Sequence, residues 1–410
     1  MERTWRWFGK NDKITLQMLR EIGVEGIVTA LHDVPNGEIW TREKIRDLRE
    51  YIESYGMRWS VVESLPVSES IKYGGPDRDK LIENYKESLK NLSLEGIHTI
   101  CYNFMPVLDW ARTDLDHENP NGTTNLYFSH AQFAYFDICI LKREGAEKDW
   151  NDEVLAEVER LKSTMTAEDD HKLVENIIVK TQGFVSGNIK EDDKHPVELF
   201  RRLLDLYKGM TKEQLRENMR YFLSAIMPTC EEYDMYMCVH PDDPPFQILG
   251  LPRIVTCDDD INWFLKAVDN PHNGLTFCAG SLSAGAHNDV QELARKYASR
   301  TWFVHLRSCF IFPNGDFTEA SHLGGRADLI ELARIFEKEE ETRTQNPNIA
   351  RLPMRVDHGM TMLGDEKRGY NAGYSFLGRM FAMGQVQGII ATVDRELGKA
   401  YHQPGFWENN

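Results

Sequence analysis

The sequence has no C-x-x-C pair, no run of basic residues and no long hydrophobic segment. Its 7 cysteines are an odd number, which in a long chain favours reduced thiols over disulfides. Apolar runs such as Gly388–Val393 stop well short of the roughly 20 residues that a membrane span needs. The first residues lack the apolar stretch of a secretion signal. We therefore expect a cytoplasmic protein.

Positive charge is also scarce. The 410 residues include 65 Asp and Glu but only 48 Lys and Arg, which gives a formal net charge of −17. Such a chain repels nucleic-acid phosphates and anionic lipid, so we expect neither nucleic acid nor a membrane as a partner. The length suits one large barrel or two medium-sized domains.

A short apolar strand, a polar turn and an amphipathic helix alternate through much of the chain. The first hundred residues contain four predicted strands, Thr4–Phe8, Gly26–Leu31, Arg58–Glu63 and His98–Asn103. After residue 230 the pattern resumes with Met235–Val239, Leu275–Cys278, Thr301–Leu306 and Leu352–Val356. Eight strands that alternate with helices predict an α/β fold of the (β/α)₈ TIM-barrel type.

Residues 104–230 interrupt this alternation. We find only polar loops and helical stretches there, the clearest being Glu153–Thr166 and Val197–Met227. The segment is too long to be a connecting loop. It predicts a long, mainly helical insertion after the fourth strand, within a single catalytic domain that spans residues 1–410.

The last four predicted strands each end near a side chain that can bind a metal ion. These side chains are His240, Cys278, His305 and Asp357, and catalytic residues of such barrels lie at these strand ends. A lone buried cysteine is ordinarily a packing residue, as we interpret Cys238, but four donors at equivalent positions predict a metal site. Two imidazoles, a thiolate and a carboxylate suit Mn²⁺, Fe²⁺, Co²⁺ or Zn²⁺ better than Mg²⁺ or Ca²⁺.

Further polar residues accompany these strand ends. Arg307 either binds a substrate carboxylate or pairs with an acid of the rim, and the sequence leaves both open. His358 either transfers protons or supports a metal ligand. Tyr374, in a glycine-rich loop, either transfers a proton or packs under the last helix. Asn103 and His32, which follow the fourth and second strands, are candidate substrate-binding residues.

The motifs together resemble those of the mannonate dehydratase family. They include Trp5-Arg-Trp-Phe-Gly, Cys101-Tyr-Asn-Phe-Met-Pro, His240-Pro-Asp-Asp-Pro-Pro, His305-Leu-Arg and Asp357-His-Gly. The resemblance implies a xylose-isomerase-like barrel that converts D-mannonate to 2-dehydro-3-deoxy-D-gluconate and water, in the glucuronate branch of hexuronate breakdown.

The resemblance also implies a cofactor and roles for the site residues. It implies Mn²⁺ or Fe²⁺ bound by the four strand-end residues, and proton transfer by His358 and Tyr374 without saying which is the base. We expect a small sugar acid as the ligand and a homo-oligomeric assembly.

Two other functions were weighed against this one. A metal-dependent sugar or sugar-acid isomerase on the same barrel commonly has a carboxylate-rich site for two metal ions, which a cysteine ligand does not favour. A non-catalytic sugar-acid sensor could keep the barrel without turnover. The complete set of ligands with two candidate proton carriers argues against such a sensor.

Overall fold

Eight strands of the computed structural model, which describes residues 1–182, 189, 193–343 and 345–401, close into a parallel barrel. Strands in the described residues are β1 Glu2–Arg6, β2 Gly26–Thr29, β3 Arg58–Glu63, β4 Thr99–Tyr102, β5 Asp114–Glu118, β6 Thr124–Phe128, β7 Tyr236–Val239, β8 Asn273–Cys278, β9 Thr301–His305, β10 Cys309–Ile311, β11 Phe317–Glu319 and β12 Pro353–Arg355. The order around the barrel is β1, β12, β9, β8, β7, β4, β3, β2. The predicted barrel is therefore confirmed, with every strand end within two residues of its expected place.

Helices surround this barrel and fill the connections between its strands. They are α1 Leu16–Glu21, α2 Arg42–Glu53, α3 Glu69–Tyr73, α4 Arg78–Ser93, α5 His130–Tyr135, α6 Asp152–Thr164, α7 Ala167–Val174, α8 Pro196–Asp205, α9 Lys212–Glu232, α10 Asp258–Ala267, α11 Ala279–Ser283, α12 Val290–Tyr297, α13 Leu329–Glu340 and α14 Phe376–Glu396. In α2, the Thr41 hydroxyl caps the first turn and accepts from the Lys44 N–H, while Ile45, Leu48 and Ile52 form one buried stripe. No helix of the described residues is long and apolar enough to cross a membrane.

The segment after β4 contains strands that the sequence did not predict. β5 and β6 pair antiparallel and join β10 and β11 in a second sheet of order β10, β11, β6, β5. The expectation of only loops and helices there was wrong because β5, Asp-Leu-Asp-His-Glu, buries only Leu115. A strand with one apolar residue gives no alternating pattern, and its partners in the sheet hold it instead.

The end of this segment packs with the barrel. The predicted helix Val197–Met227 is two helices, α8 and α9. Phe222 of α9 packs edge-on against Tyr85 of α4, with 5.1 Å between ring centroids, and belongs to the barrel core. A separate hydrophobic core joins α5, α8 and the second sheet through Phe133, Phe200 and Phe317. The chain therefore returns to the barrel at α9, before β7.

Candidate active site

Three of the predicted metal ligands converge at the C-terminal end of the barrel. One donor atom each of His240, Cys278 and His305 lies within 4.8 Å of the others. The strand register explains this meeting, because Cys278 and His305 are paired last residues of β8 and β9 and His240 directly follows β7. Parallel strands place such residues at one height around the barrel mouth.

Asp357 lies beside this cluster. Its Oδ2 atom is 3.7 Å from the Cys278 sulfur and 3.6 Å from His305 Nδ1. Oδ2 accepts a hydrogen bond from Arg307, and Oδ1 forms an ion pair with Arg355. Burial favours the neutral acid, but these guanidinium groups outweigh it and hold the pKa of Asp357 well below its usual range. The carboxylate is therefore charged and close enough to join the cluster as a fourth ligand.

The donor set and its surroundings fit a divalent ion. His240 Nδ1 lies 2.7 Å from the Pro241 carbonyl, so an N–H at this position leaves Nε2 as a ligand. His305 Nδ1 is buried and has no hydrogen-bond partner among the described residues, while its Nε2 lies 3.1 Å from Arg355 Nε. Burial lowers the pKa of His305 well below its usual value, which keeps its imidazole neutral.

A proton would compete with a metal ion at His240. Burial opposes the charged imidazole, but the Cys278 sulfur outweighs burial and raises the pKa of His240 to about 10. An ion that binds at His240 and Cys278 must therefore displace a proton, as is general for thiolate and imidazole ligands. Cys238, in contrast, lies deeper in the barrel, where its thiol donates to the Ile100 carbonyl at 3.3 Å.

His358 is held in one orientation by an acid that the sequence analysis did not single out. Its Nδ1 lies 3.0 Å from Glu319 Oε1, and its Nε2 lies 3.9 Å from Asp357 Oδ1. Burial favours neutral Glu319, but two neighbouring guanidinium groups lower the pKa of Glu319 to about 2. The carboxylate therefore accepts the Nδ1 proton and leaves Nε2 free to take another, an arrangement typical of a general base.

Tyr374 lies against His358 on the same wall. The two rings pack edge-on with 5.2 Å between centroids, and the Phe8 ring lies 5.0 Å from Tyr374 on another side. Burial raises the pKa of Tyr374 above its usual value. The phenol is therefore protonated near neutral pH and holds a proton that it can transfer.

The two candidate substrate-binding residues differ in position. Asn103 directly follows β4 and is half-buried, and its amide donates to Asp109. His32 is exposed at the rim, where its ring lies 6.0 Å from that of Phe8. Both lie at the barrel mouth, but only Asn103 lines the central cavity.

One cavity connects these groups. Its lining includes His240, Asp357, His358, Tyr374, Asn103 and Arg307, together with Arg6, Glu63, Ser64, Asp109, Trp110, Asp243 and Arg355. Thirteen side chains, nearly all polar, enclose a space that suits a small hydrophilic ligand better than an apolar one.

Comparison with known proteins gives the family. The model of the D-mannonate dehydratase (UxuA) family matches residues 1–400. The chain belongs to this family. It is 45% identical over 390 residues to a mannonate dehydratase of Marinomonas sp. (strain MWYL1), an alignment that covers 95% of this chain and 98% of the relative.

Two further relatives agree with this assignment. The chain is 38% identical over 397 residues to mannonate dehydratase 2 of Agrobacterium fabrum (strain C58 / ATCC 33970), with 97% of this chain and 98% of the relative covered. The crystal structure of a mannonate dehydratase from Streptococcus suis serotype 2 superposes with a TM-score of 0.78 at 31% identity, over 100% and 99% of the two chains.

Within this family fold, Arg307 has no N–H left for a ligand. Its Nη1 donates to both oxygens of Glu319 at 2.9 and 3.0 Å, and its Nη2 donates to Asp243 at 2.7 Å and Ser281 at 3.2 Å. The Nε proton goes to Asp357. The structure thus has the ion-pair arrangement of Arg307, one of the two alternatives that the sequence left open.

The residues that complete this network were not predicted from the sequence. Arg112 Nη1 donates to Asp243 at 2.7 Å, and its Nη2 donates to Glu319 at 2.7 Å. All three side chains are buried. Asp243 lies in the motif that begins at His240, which could have signalled it. Arg112 and Glu319 follow no predicted barrel strand, so no pattern pointed to them.

Proposed function

We propose that this protein dehydrates D-mannonate to 2-dehydro-3-deoxy-D-gluconate and water. The observation that carries the proposal is one cavity lined by His240, which belongs to the cluster of potential metal ligands, and by two candidate proton-transfer groups, His358 and Tyr374. Such a pairing is what removal of water from a sugar acid requires, because one proton must leave carbon and another must reach a departing hydroxyl.

The α-proton of a carboxylate is too weakly acidic for an unaided side chain. His240, Cys278, His305 and Asp357 would hold a divalent ion, for which we propose Mn²⁺ or Fe²⁺, and this ion would supply Lewis acidity for the negative charge that develops next to the carboxylate. The ionised Asp357 and neutral His305 described above are the protonation states that such a site needs.

We assign the two proton transfers from the surroundings of each group. His358, whose Nδ1 proton points to Glu319, takes the C2 proton at Nε2. Tyr374, whose phenol burial keeps protonated, donates to the C3 hydroxyl as the C3–O bond breaks and water leaves. The electron pair of the C2–H bond becomes the C2–C3 double bond. The resulting enol loses its C2 hydroxyl proton to solvent and gains a proton at C3 to give the 2-keto acid.

The experiment is direct. The purified protein, loaded with Mn²⁺ or with Fe²⁺, is incubated with D-mannonate, and the 2-keto-3-deoxy acid is measured, with the His358→Asn variant as a matched control. We expect product from the parent with at least one of the two ions and only background from the variant. A parent that contains stoichiometric metal yet forms no product contradicts the proposal.

Three properties of the whole protein complete the proposal. We propose that residues 1–410 act as one catalytic domain, with the mainly helical segment within 104–230 as its cap. We further propose a cytoplasmic location and a homo-oligomeric assembly, for which gel filtration with light scattering gives the subunit number.

A further inference from the structure

Three arginine side chains line the cavity, and the charges of two of them are paired with protein carboxylates. Arg307 binds the acids described above. Arg355 donates from Nη2 to Glu63 at 2.8 Å, its Nε lies 3.1 Å from His305 Nε2, and its Nη1 forms an ion pair with Asp357. The charges of Arg307 and Arg355 are therefore neutralised within the protein.

The third, Arg6, is differently placed. It is the last residue of β1, and since Trp5 packs outward against Phe376 of α14, the alternation of a strand turns Arg6 into the barrel. Its Nε atom is buried and has no hydrogen-bond partner among the described residues. The Nη1 atom lies 3.4 Å from Glu63 Oε2, a long contact for a hydrogen bond.

The acid nearest to Arg6 is also shared. Glu63 already accepts from Arg355 through its other oxygen, and Glu63 Oε2 has no hydrogen-bond partner. A buried guanidinium that leaves donors unpaired carries a free-energy cost that a ligand can remove. Arg6 lines the cavity, so such a ligand must enter there.

We propose that Arg6 binds the carboxylate of the substrate, the role that the sequence had offered to Arg307. The inference rests on the proposed dehydration of a sugar acid and adds the residue that selects the acid group. Arg6 lies over the Phe8 ring at 5.3 Å, and Phe8 contacts Tyr374. A carboxylate at Arg6 is therefore positioned on the wall that carries the proton donor, with its C2 and C3 atoms toward the centre of the cavity.

This placement also gives a reason for selectivity. A guanidinium and a carboxylate form two parallel charge-assisted hydrogen bonds. A neutral sugar alcohol of the same length offers no such partner and leaves the buried N–H groups of Arg6 unpaired. A site built to hydrogen-bond a polar group of its ligand discriminates strongly against an analogue that lacks this group. An apolar pocket discriminates less strongly between ligands that differ only in shape.

The test compares D-mannonate with D-mannitol, which has the same carbon chain without the carboxylate. Binding to the Mn²⁺-loaded parent and Arg6→Met variant is measured by titration calorimetry. In the variant we expect the Kd for D-mannonate to rise about 10- to 100-fold, while the Kd for D-mannitol changes less than about twofold. Metal content stays at the parental value, because Arg6 is not one of the ligands.

The matched control is Arg3→Met on the same strand. Arg3 is also buried but pairs with Glu25 at the opposite end of the barrel, so this variant reports any general weakening of β1 and keeps the parental preference for D-mannonate. If Arg6→Met does not fold, Arg6→Gln is measured in the same way, with the same expected loss of preference.

Two results overturn the inference. Parental affinity for D-mannonate in the Arg6 variant removes the residue from carboxylate binding, and an equal loss for D-mannonate and D-mannitol makes its role structural. Product formation separates this inference from the proposed function. A parent that binds D-mannonate without dehydrating it refutes the function, while the affinity ratio still decides the role of Arg6.

Discussion

The chemistry of single residues in this site is set by the charges around them. Glu319 is kept ionised by arginines and in turn orients His358, whereas Tyr374 lies between aromatic rings that favour its neutral form. One side chain is thus prepared to accept a proton and the other to donate one. This division comes from contacts between distant segments and is not visible in either residue's own motif.

The two proposed proton carriers are therefore separable by experiment. We expect His358→Asn and Tyr374→Phe each to lower turnover by about 10²- to 10⁴-fold with near-parental metal content. His358→Asn stops exchange of the C2 proton with solvent deuterium, while Tyr374→Phe retains exchange, provided that proton removal is reversible. Proton NMR of D-mannonate in D₂O measures this, and exchange that persists in His358→Asn assigns the base elsewhere.

Two cysteines in the same barrel provide a matched pair for the metal site. Cys278→Ser removes a thiolate from the cluster, whereas Cys238→Ser changes a buried thiol that bonds to a carbonyl. We expect the first variant to lose most of its bound metal and the second to retain it. Elemental analysis of both purified proteins against the parent gives the result, and equal metal content excludes Cys278 as a ligand.

At the scale of helices and strands, ion pairs of the partly buried Glu25 connect strands at the N-terminal end of the barrel. Glu25, just before β2, accepts from Arg3 Nε of β1 at 2.9 Å and from Arg351 Nη1, near β12, at 2.6 Å. Burial opposes the charge, but these two guanidinium groups lower the pKa of Glu25 to about 2. The Glu25 carboxylate therefore links β1, β2 and the segment next to β12, where the first and last parts of the chain lie side by side.

The lowered pKa makes this contribution depend on pH. Because the pKa of Glu25 falls from 4.5 to about 2 on folding, its stabilisation is complete above the unfolded value and is lost as the pH falls toward 2. We expect Glu25→Gln to lower the free energy of unfolding by up to about 3 kcal/mol at pH 7. The difference from the parent should shrink between pH 5 and 3 in urea titrations.

The control for this experiment is Glu21→Gln. Glu21 is exposed on α1 and accepts only from the neutral amide of Gln17, so its replacement should change stability by less than about 0.5 kcal/mol. If the difference in the free energy of unfolding between the parent and Glu25→Gln stays constant from pH 7 to pH 3.5, the ionisation of Glu25 does not contribute to stability as we expect.

Whether the sequence could predict an element depends on whether the element's own residues or distant ones stabilise it. The barrel strands are buried on both faces, so short apolar runs between turn residues mark each of them. The metal-binding side chains follow those strands directly and could be found with them. In contrast, β5 is held by its partner strand. The contact between Arg112 and Glu319 joins residues far apart in the sequence, and no local sequence pattern predicts such long-range contacts.

At the scale of the whole molecule, the metal site and the core are separate parts. The large hydrophobic core lies between the barrel and its helices, and the cluster lies at the mouth, above it. A chain that buries this much apolar surface does not need an ion in order to fold, unlike a zinc finger. Metal binding therefore adds to stability without determining the fold.

The contribution of a bound ion to the free energy of unfolding can be predicted. An ion present at about 1,000 times its Kd adds about 4 kcal/mol. Unfolding entropy grows by about 2.1 cal/mol/K per residue, so for 410 residues the ion is worth roughly 5 °C in Tm. We expect chelation to abolish activity, to lower Tm by about this amount and to leave the far-UV circular dichroism at 25 °C unchanged. Added Mn²⁺ or Fe²⁺ should restore activity. Loss of the far-UV signal on chelation at 25 °C contradicts this separation, because the ion would then hold the fold itself.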